Sequence, residues 1–346
     1  MTKRKIGLIG LGMAVTPHAQ SLVELADRVD VLAWSPSPAR RAAFNARFGL
    51  AVADSLEAVL DPPDIDAVML LTPPDSRLEL LQRIAAAGKH VLMEKPLERS
   101  LAGAERIVAL TESAAITAGV VFQHRFRESS ETLSLLLAQG ALGRIAGVQL
   151  DVPWWRPQSY YDEPGRGTLA RDGGGVLITQ AIHSMDLMLS LTGPVASVQA
   201  IAGTSALHRM ESEDFVGAGL VFANGALGAL LATTSFRPGL TETLVLAGTE
   251  ATAVLSGSQL DIYRADGTTE TIGEAQPGGG GADPMAFDHG WHQALITDFL
   301  DALDHSRAPR VTVRDGFQVH LLIDALLRSS AEGRRVEPAS LQGEIA

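Results

Sequence analysis

Short apolar runs alternate with helical patterns along the first 124 residues, and this alternation limits the folds that the chain can adopt. The helical segments carry apolar residues at a spacing typical of amphipathic helices. Parallel strands joined by helices need right-handed crossovers, so the pattern predicts an α/β domain with helices on both faces of a parallel sheet. The runs that predict strands are KIGLIG (5–10), VDVLAW (29–34), DAVMLL (66–71), HVLMEK (90–95) and GVVFQH (119–124).

The pattern changes after residue 125. One helical segment, ESSETLSLLLAQG, is followed by longer strand candidates with hairpin-like breaks at Asn224-Gly225 and Asp266-Gly267. Two helical segments close the chain, and PGGGGADP (277–284) predicts a flexible surface loop. A chain of 346 residues is long enough for two cores. We therefore predict two domains, 1–124 and 125–346, the second with a mainly antiparallel sheet and helices (α+β), and an alternative in which the closing helices pack back on the first domain.

Charge and residue types exclude several classes of protein. The net charge of -12 argues against nucleic acid or a membrane surface as the main partner. The chain has no cysteine, which excludes disulfides, thiolate nucleophiles and cysteine metal sites. No apolar run reaches the roughly 18 residues of a membrane span, and a strand pattern near the first residue leaves no room for a signal peptide. We expect a cytoplasmic protein.

The turn after the first strand, GLGMA (10–14), predicts a dinucleotide site. Two glycines permit a tight turn and a close approach of the backbone to a pyrophosphate at the helix N-terminus. Val15 occupies the place of the third glycine of the usual fingerprint. We predict a Rossmann dinucleotide-binding domain with Gly10, Gly12, Met13 and Ala14 at the cofactor. The alternative is an ordinary strand-to-helix turn.

The end of the second strand bears on the choice of cofactor. An acidic residue there would bind the ribose hydroxyls of NAD, but this chain has Ser35, with Arg40 and Arg41 a few residues later. A small hydroxyl followed by arginines suits a 2′-phosphate. We predict NADP, with NAD as the other possibility, and Ser35 and Arg40 as cofactor-binding residues. The alternative is that both arginines only face solvent at a helix start.

The stretch KHVLMEKPLERS (89–100) places a lysine directly after a strand and before a proline. A turn with no other role would more commonly use Gly, Asn or Asp. Ligands of open α/β sheets bind outside the carboxyl ends of the strands. Lys95 is therefore a candidate for chemistry.

Three segments together resemble the Gfo/Idh/MocA oxidoreductase family, which includes glucose–fructose oxidoreductase and inositol dehydrogenase-like enzymes. They are GLIGLGMAVTPH, then LLTPPDSR with AAAGKHVLMEKP, then GGGVLITQAIHSMDL. The resemblance extends over essentially the whole chain. It implies a Rossmann domain followed by a domain with an open, mostly antiparallel sheet, which in such proteins often forms the oligomer interface.

The resemblance also assigns roles in the first domain. The lysine of the Glu-Lys-Pro triplet lies beside the nicotinamide and the substrate hydroxyl in such proteins, and here it is Lys95, with Glu94 shaping the turn before a proline bond that is often cis. A lysine desolvated beside a cationic nicotinamide should have a lowered pKa, which suits proton transfer. Thr72, Pro73 and Glu94 are expected at the cofactor as well.

In the second domain the resemblance makes His183 the histidine that contacts the reacting hydroxyl. The segment 177–190 predicts a helix, on which Thr179 and His183 share one face at four-residue spacing, and both are predicted to bind substrate. Many family dehydrogenases have an aspartate at the position of Thr179, so an Asp–His relay is not expected here. Asp186 is assigned a structural role, and His124, after the last Rossmann strand, is a candidate substrate contact.

The segment DVPWWRPQSYYDEPGRG (151–167) concentrates aromatic and arginine residues. Aromatic faces pack against the C–H faces of sugars, and arginines bind hydroxyls or a carboxylate. We predict Trp155, Arg156, Tyr161 and Arg166 as substrate-binding residues, the alternative being a loop anchored by its own aromatic side chains. No metal site is expected at the histidines near residue 290, which lack a carboxylate ligand pattern.

These features predict an NAD(P)-dependent oxidoreductase that transfers a hydride between nicotinamide and a secondary alcohol or ketone of a sugar-like or cyclic polyol or diol. Lys95 and His183 would handle the hydroxyl proton. Two alternatives are a glycoside-cleaving relative that uses bound NAD for transient oxidation and a non-catalytic dinucleotide-binding sensor. A homodimer or homotetramer is expected, because several strands of the second domain are apolar on both faces.

Overall fold

A computed structural model describes residues 3–274 and 289–339. These residues form two compact units. The first contains residues 3–123 and 289–317, and the second contains residues 124–274 and 318–339. The predicted loop at 277–284 lies outside the described residues. In the part of the chain that is described, no helix has both the length and the apolar character needed to cross a membrane.

The first unit contains a six-stranded, wholly parallel sheet, which confirms the predicted Rossmann architecture. Its strands are β1 (Arg4–Ile9), β2 (Val29–Trp34), β3 (Ala51–Val52), β4 (Ala67–Leu70), β5 (His90–Met93) and β6 (Ala118–Val120). Their order is β3-β2-β1-β4-β5-β6. The central strands β1 and β4 carry fully buried side chains on both faces, as parallel sheets require. The sequence did not predict β3, whose two residues are too few to show a period.

Helices cover this sheet: α1 (Val15–Glu24), α2 (Pro38–Phe48), α3 (Glu57–Leu60), α4 (Arg77–Ala86) and α5 (Leu101–Ser113). Local sequence explains where α2 begins and ends. The Ser37 side chain caps its N-terminus by accepting the Arg40 N–H, and Pro38 occupies the first turn. Gly49 ends the helix with φ +70°. The start of α2 is therefore fixed just after β2, at the predicted cofactor edge.

The second unit contains an eight-stranded sheet, which is mostly antiparallel as predicted. Its strands are β7 (Ile145–Pro153), β8 (Val195–Gly203), β9 (Phe215–Phe222), β10 (Leu227–Thr233), β11 (Thr243–Gly248), β12 (Ala251–Ser256), β13 (Gln259–Arg264) and β14 (Thr269–Ile272). Their order is β14-β13-β12-β11-β7-β10-β9-β8, and among these described strands only β7 and β10 pair in parallel. The segment TLVLAGTEATAVLS (243–256), whose flanking apolar residues predict one long strand, is a hairpin of β11 and β12.

The helices of the second unit lie on one face of this sheet. They are α6 (Glu128–Ala138), α7 (Gln158–Tyr161) and α8 (Ile182–Thr192); α6 packs on β12 and β13, and α8 packs on β7. Two helices complete the described chain. α9 (Gly290–Asp304) packs against α1 in the first unit, and α10 (Val313–Glu332) begins at a reciprocal cap between Thr312 and Asp315.

Candidate functional site

The turn between β1 and α1 brings two strands close together at the predicted cofactor edge. Gly10 has φ +106°, and a Cβ there would lie 2.8 Å from the carbonyl carbon of Leu71. Only glycine fits both this backbone conformation and this approach. A Cβ on Gly12 would meet no described atom within 4 Å, which leaves room for a pyrophosphate. Met13 is 51% exposed and Ala14 is the N-cap of α1, so the four predicted turn residues surround the helix N-terminus.

The two arginines after β2 have different surroundings. The Arg41 guanidinium donates from Nη1 to the carbonyl oxygen of Ser35 at 2.7 Å, and Ser35 itself is buried. Arg40 is exposed in the first turn of α2. Arg41 therefore stabilises the turn after β2, while the Arg40 guanidinium stays at the surface.

A buried arginine follows the predicted cofactor residues Thr72 and Pro73, in the connection between β4 and α4. Thr72 is half-buried and Pro73 is exposed. Arg77, the first residue of α4, is 1% exposed and donates from Nη2 to the Thr72 carbonyl oxygen. Burial lowers the pKa of Arg77 to about 10, although attraction to Glu94 and Glu98 opposes this change. No sequence signal marked Arg77, because an arginine in a first helical turn normally faces solvent.

Glu94 and Lys95 follow β5 as predicted, and the peptide bond from Lys95 to Pro96 is cis. The buried Glu94 carboxylate holds this turn with both oxygens. Oε1 accepts a hydrogen bond from His18 Nε2 at 2.8 Å, and Oε2 accepts the backbone N–H of Lys95 at 3.0 Å. Burial would raise the pKa of Glu94, but the hydrogen bond from His18 and attraction to Lys95 outweigh it and lower the pKa to about 2. Glu94 is therefore an anion that fixes the backbone of Lys95, whose side chain is half-buried.

A contact between His18 and His292, which no sequence motif indicated, lies beside Glu94. Their rings meet edge to face at 4.9 Å, and burial, followed by the charge of His18, lowers the pKa of His292 to about 3. His18, Glu94 and His292 each offer a ligand atom within 4.8 Å of the others, which is close enough to consider a metal ion. Both Glu94 oxygens already accept hydrogen bonds, so we interpret the cluster as a hydrogen-bonded support for the turn. His289 lies outside this cluster, and its Nε2 is hydrogen-bonded to Oε1 of Glu24, in α1, at 2.8 Å.

In the second unit, the GGG segment (173–175) brings the chain against the strand region before β9. A Cβ on Gly175 would lie 1.8 Å from the Glu213 carbonyl oxygen, so only glycine fits there. The Glu213 carboxylate accepts the backbone N–H groups of Gly175 and Leu177 at 3.1 and 3.2 Å. Burial raises the pKa of Glu213, and these two donors oppose the rise. The segment thereby anchors the start of the helical region that carries His183.

This helical region differs from the prediction. Leu177–Ala181 forms a π-helical turn, and α8 begins only at Ile182. The predicted single α-helix over 177–190 is therefore divided, with Thr179 in the π-helical turn and His183 in the first turn of α8. The Thr179 hydroxyl donates to the Gly175 carbonyl oxygen at 2.6 Å and also contacts Gln180. π-turns within helices are frequent at functional sites.

His183 and His124 come together within the second unit. Their ring centroids lie 5.1 Å apart with a tilt of 31°, and both side chains are buried. Next to them, Arg125 donates from Nε and Nη2 to the two oxygens of Asp186, at 2.7 and 2.6 Å. Asp186 is fully buried, so this bidentate pair holds α8 against the segment around His124. The predicted structural role of Asp186 is consistent with this geometry.

The predicted aromatic segment divides into buried and accessible residues. Tyr161 is 7% exposed, and its hydroxyl bonds the Thr234 hydroxyl at 2.6 Å; burial raises its pKa. Arg156 is 2% exposed and donates to the Trp155 carbonyl oxygen at 2.8 Å. These two side chains are buried and hydrogen-bonded within the second unit.

Trp155 and Arg166 are more accessible. The half-buried Trp155 ring lies under the Arg237 guanidinium at 4.5 Å. Arg166, also half-buried, lies over the Tyr160 ring at 4.6 Å and donates to the Tyr160 hydroxyl at 3.3 Å. Tyr160 and Arg237 are not among the predicted substrate-binding residues. Each stacks with a predicted substrate-binding residue, Tyr160 with Arg166 and Arg237 with Trp155.

Two family models match the chain in series. Residues 4–122 match an oxidoreductase family with an NAD-binding Rossmann fold, and residues 131–254 match the GFO/IDH/MocA C-terminal domain.

Similar proteins align over nearly the whole chain. Levoglucosan dehydrogenase of Pseudarthrobacter phenanthrenivorans is 26% identical, covering 96% of this chain and 97% of its own length. Inositol 2-dehydrogenase of Rhizobium meliloti is 24% identical, covering 97% of this chain and 99% of its own length. The crystal structure of the WlbA dehydrogenase from Bordetella pertussis, in complex with NADH and UDP-GlcNAcA, is 29% identical with a TM-score of 0.83. That similarity covers 98% of this chain and all of WlbA.

Proposed function

This chain belongs to the Gfo/Idh/MocA family of NAD(P)-dependent oxidoreductases, and on that basis we propose a transfer of hydride between nicotinamide C4 and a secondary alcohol carbon of a sugar-like or cyclic polyol. The observation that carries the proposal lies in the first unit. Lys95 follows β5 at the carboxyl edge of the parallel sheet, the edge at which the glycine turn leaves room for a pyrophosphate. The relatives named above are dehydrogenases of levoglucosan and inositol, and WlbA binds NADH with a sugar nucleotide.

We propose Lys95 as the residue that exchanges the hydroxyl proton. A nicotinamide cofactor held at the turn of Gly10 and Gly12 would supply the hydride acceptor. As the C–H bond breaks, the C–O bond becomes a carbonyl and the hydroxyl proton passes to the Lys95 amine. In reduction the Lys95 ammonium returns that proton. Glu94 supports this role by holding the Lys95 backbone through its N–H.

We propose His183 as the residue that orients the substrate hydroxyl. The Thr179 hydroxyl donates to the Gly175 carbonyl oxygen, so Thr179 stabilises the π-turn and does not form an Asp–His relay. His124, which contacts the His183 ring, remains a proposed substrate contact.

For the rest of the substrate we propose Trp155 and Arg166, whose accessible aromatic and guanidinium groups suit a sugar ring and its hydroxyls. Tyr161 and Arg156 are proposed to stabilise this segment from the buried side and not to contact substrate.

The preference for NADP over NAD is also a proposal. It rests on Ser35 in place of an acidic residue and on the exposed Arg40 guanidinium. Replacement of Arg40 by alanine should lower NADP affinity more than NAD affinity, by the roughly 1.5–3 kcal/mol of one charge-assisted contact. Arg47→Ala, an exposed arginine in the last turn of α2, is the control. Equal affinity of the unmodified protein for both cofactors would contradict the preference.

A homo-oligomer is proposed from the second sheet. Ile201, Leu227 and Tyr263, on three different strands, are 75%, 65% and 49% exposed. Apolar side chains on an open sheet face are typical of an association surface. Light scattering should report a dimer or tetramer, and a monomer at micromolar concentration would contradict this proposal.

The function is tested by following the absorbance of the reduced nicotinamide with NAD and NADP separately, over a panel of sugars, inositols and cyclic diols. Lys95→Ala should lower kcat by roughly 10²–10⁴-fold and leave the affinity for the reduced cofactor, measured by fluorescence, nearly unchanged. His183→Ala should raise KM as well. The control is Lys5→Ala, which removes a surface lysine paired with Asp64. Full activity of Lys95→Ala would exclude the lysine from the mechanism, and glycoside cleavage without net change of the cofactor would exclude the dehydrogenase function.

A further inference from the structure

A buried chain of charged and ring side chains leads to His183 within the second unit. Arg127 is 4% exposed and Glu242 is 5% exposed, and they form an ion pair at 2.9 Å. Arg127 also donates from Nη1 to the Gly257 carbonyl oxygen at 3.0 Å, and the Trp154 indole N–H donates to the second Glu242 oxygen at 3.3 Å. The guanidinium is therefore held in one place from several directions.

The last contact of Arg127 determines the protonation of a histidine. Its Nη2 lies 2.8 Å from Nε2 of His124. A guanidinium has only donors, so the hydrogen bond exists only if His124 Nε2 carries a lone pair. An imidazole that accepts at Nε2 is neutral and carries its proton on Nδ1. An imidazolium would place two N–H groups of like charge against each other at this distance.

We propose that Arg127 is a positioning residue that fixes His124 as the neutral imidazole with its proton on Nδ1, against which the ring of His183 is held. The His124 and His183 rings are in contact at 5.1 Å. The two neighbouring guanidiniums, Arg125 and Arg127, are each paired with a buried carboxylate. His183 thus packs against an uncharged ring, and Coulomb repulsion between two adjacent imidazoliums does not arise.

The tautomer of His124 is independent of any substrate, whereas its consequence for turnover rests on the proposed function of His183. The two parts are therefore tested separately. The full chain, labelled with ¹⁵N only in histidine, is examined without ligand by long-range ¹H–¹⁵N spectra at neutral pH. His124→Gln identifies the His124 signals. Wild-type His124 should have a protonated Nδ1 and an unprotonated Nε2. A protonated Nε2, alone or in an imidazolium, would overturn the proposal.

Arg127→Lys tests the cause. A lysine keeps the positive charge but loses the planar fork that reaches Glu242 and His124 together, so the nitrogen pattern of His124 should change. Arg264→Lys is the matched control, since Arg264 forms an exposed pair with Glu270, and it should leave the pattern unchanged. An unchanged pattern in folded Arg127→Lys would also overturn the proposal. If Arg127→Lys does not fold, the wild-type spectrum decides.

The kinetic part uses the same variants. A displaced His124 should move His183, and Arg127→Lys should lower kcat by as much as roughly 100-fold without loss of dinucleotide affinity. Arg264→Lys should keep the wild-type kcat. An unchanged kcat in Arg127→Lys with an altered tautomer would refute the role in holding His183. Failure of the proposed function would look different: the wild-type protein would reduce no cofactor with any substrate, and the tautomer would stay as stated.

Discussion

Replacement of Glu94 by glutamine should reveal how strongly the first unit stabilises a buried anion beside Lys95. The ordinary pKa of a glutamate is 4.5, and in the folded chain the pKa of Glu94 is lowered to about 2. Since each tenfold change in acidity is worth about 1.4 kcal/mol, the ionised carboxylate stabilises the fold by about 3 kcal/mol. The stabilisation is fully present above pH 4.5 and is lost as the pH falls through about 2, because the unfolded chain takes up the proton first.

The measurement is the free energy of unfolding in urea for wild type and Glu94→Gln at pH 6 and pH 3. Other carboxylates titrate in both proteins and largely cancel in the difference. The advantage of wild type should shrink by about 2 kcal/mol between the two pH values. Glu79→Gln, an exposed glutamate on α4, should change stability by less than about 0.5 kcal/mol at both. A difference between wild type and Glu94→Gln that is the same at pH 6 and pH 3 would refute the reasoning.

Three further predictions concern particular side chains. Gly10→Ala should lower the unfolding free energy by about 1–3 kcal/mol, because its Cβ would meet the backbone at Leu71. Gly12→Ala should fold normally and weaken only dinucleotide binding, and equal unfolding free energies for the two variants would contradict this. Arg125→Met should lower the free energy of unfolding in urea by about 3–5 kcal/mol, because it leaves Asp186 buried without its bidentate partner. Adding Asp186→Leu to the same chain should recover part of that loss, and no recovery would argue against a stabilising ion pair between Arg125 and Asp186. Tyr161→Phe should lose about 1 kcal/mol of stability and keep wild-type KM, and a raised KM would restore the substrate role first predicted for this tyrosine.

Much of the Rossmann unit could be predicted because its signals are local. The strand patterns and the turn at Gly10 each depend on a few consecutive residues, and the structure contains them where the pattern indicated. The very short strand Ala51–Val52 could not be predicted, since two residues carry no period. The segment 243–256 is divided into two strands by a turn of only two residues, Thr249 and Glu250, and a polar break that short was not recognised as a turn.

In the candidate site, too, only features with a local sequence signal could be predicted. The Glu-Lys-Pro triplet and His183 were found because each lies in a short motif. The π-turn at Leu177–Ala181 was not, because an apolar segment of that length looks the same in an α-helix. Arg77 was missed because only the folded chain shows that its guanidinium is buried.

The sequence by itself determined the succession of strands and helices along the chain, the glycine turn and the family, since these depend on neighbouring residues and on motifs of a few positions. Only the tertiary structure decided which charges are buried together. His18 and Glu94 are 76 residues apart, and Arg127 and Gly257 are 130 apart, yet each pair is in hydrogen-bond contact. A side chain acquires a shifted pKa or a fixed tautomer from burial and from partners within a few ångströms. The separation of two residues along the sequence predicts neither property.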